Sequence, residues 1–136
     1  MSKSNTTEND TLDAILRAVD PSWRSGSSRY IALHTADPGE AGSATTSECA
    51  YGSYARQTVT AATGFTAASG GSSSNTGLIQ FPTCSSGSET ITHVSIVTTS
   101  SGAGQILYSG ALNASRAVST GIQPQFAIGG LVVTED

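Results

Sequence analysis

The sequence has little charge and almost no basic character. Charged residues make up 12% of the 136 positions, against about 25% in an average soluble protein. Five Arg and one Lys are scattered singly, and the net charge is −4. The chain therefore has no basic patch for phosphate backbones or anionic lipid. We expect neither nucleic acid nor a membrane as a partner.

Long apolar segments and cysteine motifs are also absent. The first 20 residues have no apolar core of the length that a signal peptide needs, and no stretch reaches the roughly 18 apolar residues of a membrane span. Cys49 and Cys84 lie far apart and neither belongs to a CxxC motif, so no zinc site or disulfide framework is indicated. We expect a protein made in a cytosol-like compartment, with two reduced thiols.

Small neutral residues take the place of the missing charge. Ser and Thr occupy 40 positions and Gly another 15, a bias typical of β-rich proteins with many turns. Short apolar segments follow one another without intervening helices, which predicts a mainly β chain with a single antiparallel β-sandwich or jelly-roll-like domain. The predicted strands lie at 29–35, 54–60, 78–81, 90–97, 105–109, 125–128 and 131–134.

The clearest alternation of side-chain types in the chain runs from Thr90 to Val97. Successive residues of a strand point to opposite faces of a sheet, so Ile91 and His93 share one face and Val94 and Ile96 share the other. The pattern shifts near Ser95. We therefore expect both faces of this strand to be partly buried.

The first 28 residues differ in character from the rest. Residues 1–10 are polar, and an isolated copy should be a flexible arm that becomes ordered only with a partner. From Thr11 apolar residues recur at helical spacing until Pro21, which predicts a short amphipathic helix of two to three turns, capped by Asp10 or Thr11. We divide the chain into an arm and helix at 1–28 and a β domain at 29–136.

The candidate partner-binding residues lie on this helix and just after it. Their apolar side chains either pack on the β domain of the same chain or dock on a neighbouring subunit. They are Leu12, Ile15, Leu16, Val19 and Trp23.

Candidate catalytic and metal-binding residues are few. His34 and Asp37 lie three residues apart at a strand end, yet the chain has no GxSxG motif to present a nucleophilic serine. We expect Asp37 to form an Asx-type turn before Pro38, and the His34 imidazole to bond to backbone. The two His and two Cys residues belong to different predicted elements, so we expect no metal site, no cofactor and no enzymatic activity.

A resemblance to a known family begins at the first predicted strand. The blocks that carry it are YIALHTADPGEAG at 30–42, TTSE at 45–48, YGSYAR at 51–56, IQFP at 79–82, ETITH at 89–93, GQILYSG at 104–110 and GLVVTED at 130–136. They resemble small virion proteins of tailed bacteriophages, commonly labelled tail fibre proteins. The resemblance implies a structural protein of the virion, assembled in the host bacterial cytoplasm. Residues 1–28 carry none of the pattern, so we expect them to be this protein's own attachment device.

Three function classes follow from these observations. The chain has no repeats or coiled-coil heptads of the kind that a fibre shaft needs, whereas a polar arm that orders on binding suits a capsid decoration (cement) protein. We therefore expect a capsid decoration protein that binds the major capsid protein and stabilises the head lattice. The alternative is a tail fibre or tail-associated adaptor or knob protein, and a hydrolase using His34 is the weakest alternative. A homo-oligomer is a further expectation, because the surface is weakly charged and an open sheet has free edges.

Overall fold

One α-helix, one 3₁₀ helix and eight strands make up the regular structure of residues 1–135, the part of the chain that the computed structural model describes. The α-helix, α1, spans Asn5–Arg17, and the 3₁₀ helix follows at Ser22–Ser25. All strand pairings are antiparallel. The strands are β1 (Ser28–His34), β2 (Gln57–Thr60), β3 (Ser72–Ser74), β4 (Ile79–Gln80), β5 (Ser88–Val97), β6 (Ile106–Ser119), β7 (Gln125–Phe126) and β8 (Val132–Thr134).

Four of the strands form the main sheet, in the order β2-β1-β5-β6. In the pairing of β1 with β5, Tyr30 lies opposite Val97 and His34 lies opposite His93. Every residue of β5 from Val94 to Val97 is buried. One face of this stretch contributes Val97 to a small cluster with Ala44 of the loop after β1, and the other contributes Val94 to the main core. This confirms that both faces of the strand are covered.

The remaining strands form two short ribbons, β3-β8 and β4-β7. Their apolar residues join those of the main sheet in one core, in which Ile31 and Leu33 of β1 cluster with Phe81 and Leu131. Phe81 is fully buried, and its ring lies edge-on to that of Phe126 with 6.4 Å between centroids. The predicted fold class is therefore confirmed: a mainly β, antiparallel chain of sandwich type with one short N-terminal helix.

β6 and β3 depart most from the strands predicted from the sequence. β6 continues ten residues beyond Ser109, because it pairs with β5 on both sides of a bulge. At this bulge, residues 112–115 of β6 lie opposite Thr92 of β5. The bulge interrupts the alternation that marks a strand in sequence. β3 is not among the predicted strands, because it lies inside a Ser-rich segment at residues 69–75. Its three serines pair with β8 through backbone hydrogen bonds, for which no apolar signal is needed.

Candidate partner-binding surface

The helix α1 begins six residues before its predicted start. Ser4 is its N-cap, and the Ser4 hydroxyl accepts a hydrogen bond from the amide of Thr7 at 3.3 Å. The helix ends where Ala18 adopts a left-handed conformation with φ of 54°, and its amide donates to the carbonyl of Asp13. The capping residues are therefore Ser4 and Ala18, in place of the expected Asp10 or Thr11.

The polar face of α1, and not its apolar face, contacts the rest of the chain. The hydroxyls of Ser4 and Thr7 both donate to the carbonyl of Ile106, at 2.6 and 2.7 Å. Gln105 donates from Nε2 to Thr7 Oγ1 at 2.9 Å and to Asp10 Oδ2 at 2.8 Å. Buried polar groups are tolerated only when they are hydrogen-bonded in this way. The helix is therefore attached to the start of β6 by a polar contact.

This attachment leaves the apolar stripe of α1 facing solvent. Leu12 is 55% exposed, Ile15 73%, Leu16 75% and Val19 46%. Of the two interpretations drawn from the sequence, packing of the stripe on the β domain is therefore wrong. We call these four residues the α1 stripe. Leu12, Ile15 and Leu16 lie within α1, and Val19 directly follows its C-cap. Exposed apolar residues grouped in this way are typical of a binding surface.

Trp23, the fifth candidate residue, is separated from the α1 stripe. Its side chain is half-buried and packs against the main core. The indole Nε1 donates to Asp10 Oδ2 at 3.0 Å. The structure therefore brings four of the five candidate residues together on one exposed surface and places Trp23 beneath the helix.

The residues before α1 are held by the chain itself. Ser2 and Ser109 of β6 exchange two backbone hydrogen bonds, both of 2.8 Å. Lys3 forms an ion pair with Glu135, and the amide of Asn5 donates to the carbonyl of Glu40 at 2.9 Å. Residues 1–10 thus need no partner for order, contrary to expectation. The apolar content of residues 1–10 does not predict whether they are ordered, because their contacts are made by backbone and hydroxyl groups.

A cavity of about 460 Å³ lies between α1 and the β domain. We call it the α1 cavity. Thr7 and Thr11 line it on the helix side, and its charged neighbours Lys3, Arg29 and Glu135 already have partners within the chain. Its apolar and aromatic lining comes from Trp23, Phe65, Ile96, Leu107, Tyr108 and Val133.

His34 has partners that differ from those of a catalytic triad. Its Nε2 lies 2.7 Å from Ser95 Oγ and its Nδ1 lies 2.9 Å from the carbonyl of Thr46. Asp37 accepts instead from the amide of Gly39 at 2.9 Å, the predicted Asx-type turn. His34 and Ser95 are both 0% exposed. Burial lowers the pKa of His34, so the ring is held neutral and has no access to a substrate.

The other buried polar cluster surrounds Arg56. Its guanidinium forms a two-pronged ion pair with Glu48, with Nε to Oε1 at 2.6 Å and Nη2 to Oε2 at 2.7 Å. The remaining donors reach Thr99 and the carbonyl of Gly102. Tyr54 also donates to Glu48 at 3.1 Å. All five N–H groups of Arg56 have acceptors, so this cluster fixes the loops around β1 and has no donor left for a ligand.

The cysteines are free and buried, as expected for ordinary thiols. Burial raises the pKa of Cys49 to about 12, which makes a thiolate there unfavourable. Within residues 1–135 no three His, Cys, Asp or Glu side chains come together as a metal site. None of the helices in the same range has the length and apolar character needed to cross a membrane.

Comparison with protein families identifies one family over nearly the whole chain. The family model described as "Podophage GP4 fiber I protein gp80" matches residues 2–134. No curated protein sequence matches the chain. The family match includes the arm and α1, which the sequence resemblance had placed outside the shared pattern. The arm and helix are therefore part of what the family has in common.

Proposed function

Because the chain belongs to the podophage GP4 fiber I protein gp80 family, we propose that it is a component of a podophage tail fibre and acts by binding alone. Family membership confirms the coarser prediction of a bacteriophage virion structural protein. It also agrees better with the tail fibre alternative than with the expected capsid decoration protein.

The structure removes the main argument for capsid decoration. That expectation depended on a polar arm that would become ordered only against a neighbouring subunit. Ser2, Ser4 and Thr7 bond instead to β6 of the same chain. Order in the arm therefore carries no information about a capsid lattice, and the family description supports the tail fibre alternative.

The observation that carries the proposal is the exposed α1 stripe. It is presented by a helix whose opposite face is bonded to the sheet, so the stripe has a defined position and loses little freedom on binding. Full burial of a large apolar side chain contributes roughly 1.5–3 kcal/mol. We propose that the stripe attaches this compact chain to a neighbouring virion subunit, with the chain as an adaptor or knob and not as a shaft.

The buried polar clusters support a role without catalysis. Ser95 is the hydroxyl nearest to a histidine ring nitrogen, but it lies in the interior with His34. Arg56, the most extensively bonded cation, has used all its donors within the chain. A binding protein stabilises an assembly by mass action and needs no reactive group on its surface.

Location within the virion tests the tail assignment. Whole virions are labelled with gold-conjugated antibody against the protein and viewed by electron microscopy. We expect gold at the tail and a small number of copies per particle. Gold distributed over the head, with copies numbering in the hundreds, would return the assignment to capsid decoration.

A further inference from the structure

We propose that the outer edge of β6 between Gly110 and Arg116 binds an extended, acidic segment of a neighbouring virion protein. The groove along this edge has a volume of about 810 Å³, and we call it the β6 groove. No residue of the α1 stripe lines it, so this inference goes beyond the proposed function. An adaptor joins two components, and the β6 groove gives the chain a second surface for that purpose.

The β6 groove is lined by the edge of the main sheet and by the segments around β7 and at the start of β8. β6 is the last strand in the order β2-β1-β5-β6, so no further strand of this sheet covers its outer edge. Residues 110–114 and Arg116 of β6 line the groove together with residues 123–126 and 130–132. Its volume lies within the range of known ligand sites.

The chain itself shows that this edge accepts an extended segment. Ser2 and Ser109 exchange two backbone hydrogen bonds of 2.8 Å in an antiparallel bridge. Ser109 also lies opposite Ser95 of β5, so Ser2 occupies the other, outer side of β6. Between Gly110 and Arg116, no strand or isolated bridge within residues 1–135 pairs with that side. An unpaired strand edge is a template to which a segment of another chain can add.

The bulge in β6 enlarges the unpaired part of the edge. Residues 112–115 lie opposite Thr92 alone, so their backbone groups exceed what one residue of β5 can bond. Asn113 and Ala114 within the bulge are exposed and line the groove. Bulges end or redirect strand pairing at sheet edges and beside functional sites. The backbone of this stretch is therefore open to hydrogen bonds from a partner.

The charge in the β6 groove is positive and has no partner within the described chain. Of the Lys and Arg side chains in residues 1–135, Arg116 alone forms neither an ion pair nor a hydrogen bond. None of the residues that line the groove is Asp or Glu. Glu89 on the adjoining strand β5 accepts instead from the amides of Ala50 and Tyr51. A guanidinium without a partner favours a carboxylate, to which it can donate two parallel hydrogen bonds.

Side-chain amides in the groove offer further hydrogen-bonding groups. Gln125 accepts from Gln80 through Oε1 at 3.3 Å, which leaves its Nε2 donors for a partner. Gln123 donates from Nε2 to the carbonyl of Phe81 at 2.9 Å, which leaves its Oε1 as an acceptor. A purely apolar segment would bury such groups without partners, at a cost in free energy. A polar segment that carries carboxylates satisfies both the amides and Arg116.

An NMR titration of the isotope-labelled full chain tests the proposal. The probe is a synthetic peptide with blocked ends, as long as residues 110–116, that alternates threonine and glutamate. Its carboxylates then share one face of an added strand. We expect the amide signals of residues 110–116 to shift as peptide is added, and those of α1 to stay unchanged. The affinity should fall as salt is raised, because Arg116 is exposed.

Substitution of Arg116 tests the charge. Arg116→Ala should raise the dissociation constant of the peptide about fivefold, and circular dichroism can verify that the fold is retained. Arg17→Ala is the matched control, because it removes the same charge from an exposed residue outside the groove. We expect it to leave the affinity unchanged. Equal weakening by the two substitutions would overturn the proposal, since the effect would then be one of net charge alone.

Two altered peptides separate the contributions of charge and backbone. A peptide that alternates threonine and glutamine retains the backbone without the charge, and we expect it to bind about fivefold more weakly. A threonine–glutamate peptide with N-methylated backbone amides retains the charge but cannot add to a strand edge. We expect it to cause no shift of residues 110–116. Equal affinity for the N-methylated and unmodified peptides would overturn strand addition.

The remaining outcomes decide whether a peptide is the occupant. Tighter binding of a galacturonic acid oligomer than of the threonine–glutamate peptide would overturn the proposal in favour of an acidic saccharide. The absence of any shift of residues 110–116 at roughly 10 mM peptide would also overturn it. The tail assignment depends on gold labelling of virions and would stand in either case.

Discussion

At the scale of single residues, the strongest test of the fold is the buried ion pair of Arg56 with Glu48. The Arg56 side chain is 2% exposed and that of Glu48 is 15% exposed. Removal of one partner leaves the other charge in the interior without compensation. We expect Arg56→Ala to lower the free energy of unfolding by about 3–5 kcal/mol, measured by urea denaturation.

The matched control is the exposed ion pair of Arg17 with Asp13, four residues apart on α1. Exposed pairs of this kind contribute about 0.3–0.5 kcal/mol, so Arg17→Ala should change the urea midpoint little. Equal effects of the two substitutions would show that Arg56 does not fix the loops around β1.

His34 predicts how stability depends on pH. Burial lowers its pKa below the 6.5 of an exposed histidine, an effect that Arg56 and His93 increase and that Thr46 and Glu48 oppose. The unfolded chain therefore binds a proton at higher pH than the folded chain. Stability should be complete above pH 6.5 and decrease as the pH falls through that value.

Urea denaturation between about pH 7.5 and 5.5 measures this loss. We expect His34→Gln to make the midpoint less sensitive to pH, whereas His93→Gln should retain the dependence. Glu135 does not interfere, because the hydrogen bond from Lys3 lowers its pKa and its contribution is lost only below about 4.5. If His34→Gln and wild-type protein showed the same pH dependence, His34 would not be the group that causes the loss of stability.

At the scale of elements, α1 is unusual in that its polar side contacts the domain. Asp10 is central to that contact, because its carboxylate accepts hydrogen bonds from both Trp23 and Gln105. Hydrogen bonds to a charged group contribute about 1.5–3 kcal/mol. We expect Asp10→Ala to speed amide hydrogen exchange in α1 and to leave the amides of β5 protected.

Trp23 fluorescence provides a second measurement of the same substitution. Loss of the bond from its indole should shift the emission to longer wavelength as water enters. Asn9→Ala is the control, since Asn9 is an exposed neighbour on the same helix. A helix that exchanges no faster in Asp10→Ala than in Asn9→Ala would show that the polar contact does not hold α1.

The elements also show which features can be read from the sequence. β1 and β5 were predicted nearly to their ends, because their side chains alternate or form a buried run. The α1 stripe was found from its helical spacing. The sequence did not show that the stripe faces solvent, because helical spacing identifies an apolar face without saying whether that face packs on the β domain. The deciding contacts, from Thr7 and Asp10 to Gln105, join residues more than 90 positions apart.

At the scale of the whole molecule, the chain is a β-sandwich that presents one exposed helix. Its interior contains His34 and the serine nearest to it, Ser95. Its surface presents apolar side chains on and just after a helix that is fixed by hydrogen bonds. Both observations favour a structural protein that acts by contact with its neighbours. The central claim is that these contacts are made through the α1 stripe.

The most direct test is incorporation of stripe variants into virions. A phage lacking the gene is complemented with wild-type protein, Leu16→Asp or Thr6→Asp, and the protein in purified particles is quantified by immunoblot. We expect normal incorporation of wild-type protein and Thr6→Asp, and loss of Leu16→Asp from particles although the variant is folded and soluble in the cell. Equal amounts of all three in the virion would contradict attachment through the α1 stripe.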